Sequence, residues 1–145
     1  MRKKLGETCQ SHRLHLVFSA GRLSGAELEP GHPTGSQEMP QLIIEDGPTV
    51  EVVAGTKLVL AIEDAGVPIL HRCGGNSRCT TCRVLIVSGD AGPMPELERE
   101  RLAREAEFEP ESRLSCQVRV DGDLTVRVLK TTESTGLPAG ARPEE

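Results

Sequence analysis

Three of the chain's five cysteines, Cys73, Cys79 and Cys82, form a C-x5-C-x2-C run within the stretch RCGGNSRCTTCRV, residues 72–84. A fourth, Cys116, follows after 33 intervening residues in the phrase RLSCQ. Thiolate sulfur is a soft, anionic donor, and four such donors are what an iron–sulfur cluster demands. Three donors close in sequence let one loop enclose most of a metal centre, and the fourth pins it to the fold. Gly74 and Gly75 allow backbone N–H groups to approach inorganic sulfide without a Cβ in the way. Asn76, Ser77, Thr80 and Thr81 are small polar residues able to donate further hydrogen bonds. Such donors stabilise the more negative, reduced form of a cluster and raise its potential, whereas burial away from water lowers it.

Three other readings of these cysteines compete. Structural zinc also takes four thiolates, but its usual signature is two C-x2–4-C knuckles, and Cys116 has no near partner. Cys79 and Cys82 on their own would suit a thioredoxin-like redox pair, which leaves Cys73 and Cys116 without a role. Cysteines buried simply as small hydrophobes fit poorly with three of them inside ten residues of a polar loop. The spacing favours a 2Fe-2S centre over these rivals without eliminating them.

The surrounding elements must position that loop. Residues 41–45 read as a strand, Asp46-Gly47-Pro48 as a turn and 49–53 as a second strand, together a hairpin. Thr56 is a plausible N-cap for a helix over 57–65, with Leu58, Ile62 and Ala65 on one face, stopped by Gly66 and Pro68. The chain then enters the cysteine loop. Residues 83–88 (RVLIVS) form a continuous apolar run that predicts a buried strand, and the helix formers of 96–107 predict a second helix ended by Pro110. Alternation places Cys116, Val118 and Val120 on one face of a strand over 116–120. An Asp121-Gly122 turn leads to a last strand carrying Leu124, Val126 and Val128. The order strand, strand, helix, loop, strand, helix, strand, strand describes a small mixed sheet packed on one main helix, an α+β arrangement.

Residues 1–39 lack either periodicity and read as a disordered leader, and residues 131–145 as a flexible tail; the domain proper spans 40–130. The basic start of the leader weakly resembles an organelle transit peptide, but an alternative start of translation at Met39 is the favoured reading. Cys9 in the leader is a spare thiol. The core must be built from Val, Ile and Leu, because the chain has no Trp or Tyr and only two Phe. A small aliphatic core of that kind gains stability from a bound metal centre. Net charge is −5, with +1 on residues 1–39 and −6 on the remainder. That balance disfavours nucleic acid and anionic membrane as partners and favours a partner with a basic patch, although acidic surfaces also serve solubility. No apolar run reaches the length of a membrane span. Five cysteines without a secretion signal read as reduced thiols or ligands, which implies a cytoplasmic, reducing compartment.

The text CGGNSRCTTCRV followed by RLSCQ resembles the 2Fe-2S ferredoxin family over residues 41–129. The resemblance implies a β-grasp fold, a 2Fe-2S cofactor and Cys73, Cys79, Cys82 and Cys116 as its ligands. The C-x5-C spacing departs from the plant-type C-x4-C and is similar to the adrenodoxin-like and bacterial members. The implied function is a monomeric electron carrier, not an enzyme, that shuttles single electrons between a reductase and an acceptor oxidoreductase. Two alternatives from other classes are a redox-sensing regulatory module and an electron-transfer subunit of an oxidoreductase complex.

Several further residues are weighed against that reading. A Rieske-type centre would need two histidines, and no second His follows His71, which is therefore a loop residue near the cluster. Arg72, Arg78 and Arg83 read as a solvated basic rim. The acidic stretch Glu96, Glu98, Glu100, Glu105, Glu107, Glu109 and Glu111 corresponds to a partner-docking region in adrenodoxin-like proteins. Arg99, Arg101 and Arg104 interleave with it, as they would on an ordinary solvated helix face.

Overall fold

The computed structural model describes residues 39–107 and 109–145. Apart from Met39, the expected leader and its Cys9 lie outside the described residues. Among the described residues seven strands and three helices follow one another: β1 (Gln41–Ile44), β2 (Thr49–Glu51), β3 (Thr56–Lys57), α1 (Leu58–Asp64), β4 (Arg83–Gly89), α2 (Glu96–Leu102), β5 (Ser112–Leu114), β6 (Arg119–Val120), β7 (Leu124–Val128) and α3 (Thr132–Thr135). Five strands form one mixed sheet in the order β2-β1-β7-β4-β5, and β3 pairs with β6 in a separate ribbon. The only parallel pairing in the large sheet joins β1 to β7, the first and last long strands, with Leu42 opposite Leu124 and Ile44 opposite Val126. The expected α+β architecture is the one observed.

Alternation in β1 buries Leu42 and Ile44 and leaves Gln41 and Ile43 facing out. These side chains share one core with Val84, Leu114, Val126 and the buried run Leu58–Ile62 of α1. The helix is shorter than the predicted 57–65, and Lys57 stands at its N-cap without a side-chain cap bond. Thr56, the expected cap, is drawn instead into the β3–β6 pairing opposite Val120. At the other end the expected stop is present as a Schellman closure, with Gly66 N–H donating to Glu63 O (2.8 Å) and Val67 N–H to Ile62 O (3.1 Å).

Three expectations are corrected. The apolar run of β4 is not a fully buried strand: Val84 is buried, Leu85 and Ile86 are half-buried, and Val87 faces solvent past a bulge between Ile86 and Ser88. The predicted strand over 116–120 is divided, since Cys116 occupies a turn between β5 and β6. Burial nevertheless follows the predicted alternation at Cys116, Val118 and Val120. Where a flexible tail was expected from residue 131, Thr131 instead builds a capping box with Ser134 at the start of α3. Residues beyond it lie along the cysteine loop, with Ala139 O accepting from His71 N–H.

Candidate metal centre

The loop from His71 to Cys82 leaves α1 through buried Ile69 and Leu70 and returns into β4 at Arg83. Local hydrogen bonds shape it. The Asn76 amide donates to Cys73 O (2.6 Å), and Arg72 N–H donates to the Thr81 hydroxyl (3.1 Å). Ser77 takes a left-handed backbone, φ 52°, which turns the chain between the two halves of the loop. The base of the loop is joined to the Cys116 turn: Ser115 donates to Cys82 O from both its N–H (3.1 Å) and its hydroxyl (2.8 Å). The Gln117 amide closes the other side, reaching Gly75 O at 3.0 Å and Cys116 Sγ at 3.4 Å.

All four cysteines of the sequence motif are free thiols, with Cys82 and Cys116 buried and Cys73 and Cys79 half-buried. Cys82 Sγ and Cys116 Sγ lie 3.5 Å apart, and the Cys79 side chain helps to lower the pKa of the Cys73 thiol. Cys79 Sγ also meets the Thr81 hydroxyl at 3.1 Å. Among the described residues no three His, Cys, Asp or Glu side chains converge as they would around a single ion. One tetrahedral zinc would need all four sulfurs around a single point, whereas a centre with two metals would need two sulfurs on each.

The electrostatics favour thiolate where ligands need it. Burial pushes the Cys73 thiol up, but the backbone N–H groups of Cys79, Arg78 and Asn76, with the Cys79 side chain, outweigh it and lower its pKa. The Cys82 side chain, donating to Cys116, holds that thiol down to about 6; Gln117 and the Ser77 N–H add to the effect and burial opposes it. Cys82 is pushed well up by the same shared hydrogen bond and by burial. A metal held by both sulfurs would displace the proton that this hydrogen bond uses. N–H groups that stabilise thiolate will equally stabilise the charge on a bound cluster.

Two features around the loop depart from the sequence reading. Glu98, read there as part of an acidic docking stretch, is fully buried and forms a two-pronged ion pair with Arg113 (2.9 and 3.1 Å). Its Oε1 also accepts Leu114 N–H at 2.6 Å, and Arg113 donates to Ala91 O and Gly92 O. The pair fastens α2 and the loop before it to β5, the strand that delivers Cys116. His71, expected as a loop residue near the cluster, stands at the start of the loop but is buried, its Nε2 2.6 Å from Glu63 Oε1 on α1. Arg72 and Arg78 are exposed, as expected for a solvated rim. Gln117 was legible only as the last letter of RLSCQ, where a polar side chain follows a ligand directly. The Glu98–Arg113 pair had no sequence signal, because charges on a predicted surface helix do not announce burial.

A β-grasp frame that sets a glycine-rich loop with three cysteines against a turn with a fourth is the arrangement of a 2Fe-2S protein. The chain belongs to the 2Fe-2S iron-sulfur cluster binding domain family, whose model matches residues 43–121. Its likeness to ferredoxins supports an electron carrier with a 2Fe-2S cofactor. It is 36% identical over 104 residues to the 2Fe-2S ferredoxin of Pseudomonas aeruginosa, covering 65% of this chain and 93% of that protein. Among solved structures it is similar to the ISC-like 2Fe-2S ferredoxin of Pseudomonas putida, with TM-score 0.57 and 34% identity over 63% of this chain and 94% of the other. It is also similar to a chain of the covalent putidaredoxin reductase–putidaredoxin complex, with TM-score 0.50 and 31% identity over 61% of this chain and 96% of that one.

Proposed function

We propose that the protein takes single electrons from a reductase and passes them to an acceptor oxidoreductase, with Cys73, Cys79, Cys82 and Cys116 holding the cluster. The observation that carries this reading is the meeting of Cys82 and Cys116 at 3.5 Å, where the turn that carries Cys116 closes on the base of the loop that carries Cys73 and Cys79. The cluster supplies the one-electron chemistry. The chain supplies four sulfurs, N–H donors from residues 76–79 that offset negative charge, and a fold that keeps Cys82 and Cys116 away from water. Electron transfer makes and breaks no substrate bond, so the chain needs no acid, base or nucleophile and has no turnover of its own.

A reductase partner is supported by the likeness to a chain of the putidaredoxin reductase complex. The domain is best drawn from residue 40, with 131–145 attached to it. No helix among the described residues is long and apolar enough to cross a membrane. Free thiols fit a reducing compartment such as the cytoplasm, and a single chain contains every ligand, so the working unit is a monomer. Stopped-flow mixing with a reduced ferredoxin reductase tests the carrier role. Rapid bleaching of the cluster's visible absorbance, recovered on adding an oxidised acceptor, is expected; a cluster that neither bleaches nor recovers contradicts it.

A further inference from the structure

We propose that residues 136–144 form a strap latched across the cysteine loop, which governs how long the loop keeps its cluster and at what potential. The proposal rests on the ligand assignment above. The strap lies beyond residues 43–121 that the family model matches.

Three different kinds of contact hold it. The first is between backbones. His71 N–H donates to Ala139 O at 2.8 Å, and next in the chain is Gly140, φ +110°. A Cβ on Gly140 would lie 2.8 Å from both Arg72 Cα and His71 O, so only glycine lets the two chains run this close. The second is packing. Pro143 is buried, and a Cβ on Gly75 would come within 2.9 Å of Pro143 Cβ. The proline thus occupies the space that the glycine of the cysteine loop leaves open. The third is polar. Arg142 reaches Glu63 Oε2 at 3.2 Å and Asp64 Oδ1 at 2.7 Å, and Lys57 donates to Glu144 O. Glu63 holds His71 with its other oxygen, so the end of α1, the entry to the loop and the strap share one network.

A loose tail would gain nothing from close approaches at glycine on both facing segments. Exposed ion pairs such as those of Arg142 contribute little by themselves, so the backbone bond and the Pro143 contact carry most of the hold. The consequence falls on Cys73, which is only half-buried and is followed by Gly74 and Gly75, both facing the strap at Ala141 and Pro143. Opening of the strap would admit water and chelator to that side. Local openings of weakly held segments set the access of reagents to otherwise protected groups. Greater exposure to water favours the reduced, more negative cluster and raises the potential.

The test compares the full holoprotein with a chain ended after Thr135, with Gly140→Val, with Pro143→Gly and with Arg142→Ala. Three quantities are read: the rate of absorbance loss to an anaerobic iron chelator, the midpoint potential, and hydrogen exchange of residues 71–76 and 136–144. Truncation and Gly140→Val are expected to speed cluster loss several-fold, shift the potential positive and raise exchange at 71–76, leaving β4 and β7 protected. Pro143→Gly should do the same more weakly, and Arg142→Ala least. Should the truncated chain fail to fold, Pro143→Gly decides. Unchanged lifetime and potential on loss of the strap would overturn the proposal, as would exchange of 136–144 in the full protein at the rate of an unstructured peptide. A full chain that takes up no iron or sulfide would instead overturn the ligand assignment, and protection of 136–144 in that protein would still judge the latch.

Discussion

The proposed ligands are the four thiols of the motif, two of them 3.5 Å apart and the set supplied with N–H donors, while Cys9, outside the described residues, is expected to be a spare thiol. Replacing any one of Cys73, Cys79, Cys82 or Cys116 by Ala is expected to abolish stable cluster absorbance on purification. Cys9→Ala should keep it in full. Iron content per chain checks both, and a Cys116→Ala protein with undiminished iron would remove that residue from the site. These four positions were legible in the sequence because ligand chemistry restricts residue type and spacing. Their helpers were not, since a backbone N–H of Arg78 or Ser77 carries no signature in the side chain above it. His71 shows the same limit: its burial against Glu63 depends on where α1 ends in space.

The elements that deliver the ligands depend on one buried ion pair that the sequence disguised. Glu98 and Arg113 tie α2 to β5 just ahead of the Cys116 turn, and both are almost wholly excluded from water. Removing one partner of such a pair leaves an uncompensated buried charge, which costs about 3–5 kcal/mol. Glu98→Ala should therefore lower the denaturant midpoint steeply and weaken cluster retention, whereas Glu100→Ala on the same helix should shift stability by under about 0.5 kcal/mol. Equal midpoints for the two variants would mean that the pair does not anchor β5. A charge reversal at Glu98 is accordingly a test of folding and not of partner docking. Most element types were legible because hydrophobic alternation and helix-forming composition are local properties. The split of the 116–120 strand and the half-exposure of β4 were not, because both follow from neighbours far along the chain: Ser115 bonding to Cys82 O, and β7 meeting β4 across a bulge. The capped α3 was missed for a related reason: a sequence poor in apolar residues was read as tail, although Thr131 and Ser134 carry capping chemistry.

At the scale of the whole molecule, charge governs encounter. Residues 40–145 carry a net −6. The ion pairs of Arg113 with Glu98, Arg127 with Glu45 and Arg142 with Glu63 and Asp64 leave that value unchanged, since it already counts both partners. An acidic surplus of this kind would steer a partner with a basic face at long range. Electron transfer from a reductase with a basic docking face should slow as ionic strength rises from about 0.01 M to 0.15 M, where the screening length contracts from roughly 30 Å to 8 Å. A second-order rate constant that stays flat over that range would show that encounter does not depend on the acidic surface.

The central claim is that this fold holds a 2Fe-2S cluster on four cysteines. Electron paramagnetic resonance of the dithionite-reduced, natively purified protein, with iron and acid-labile sulfide quantified on the same sample, tests it most directly. The account predicts iron and sulfide in equal amounts and a paramagnetic signal that appears only on reduction. Zinc in place of iron, with no inorganic sulfide, would contradict it.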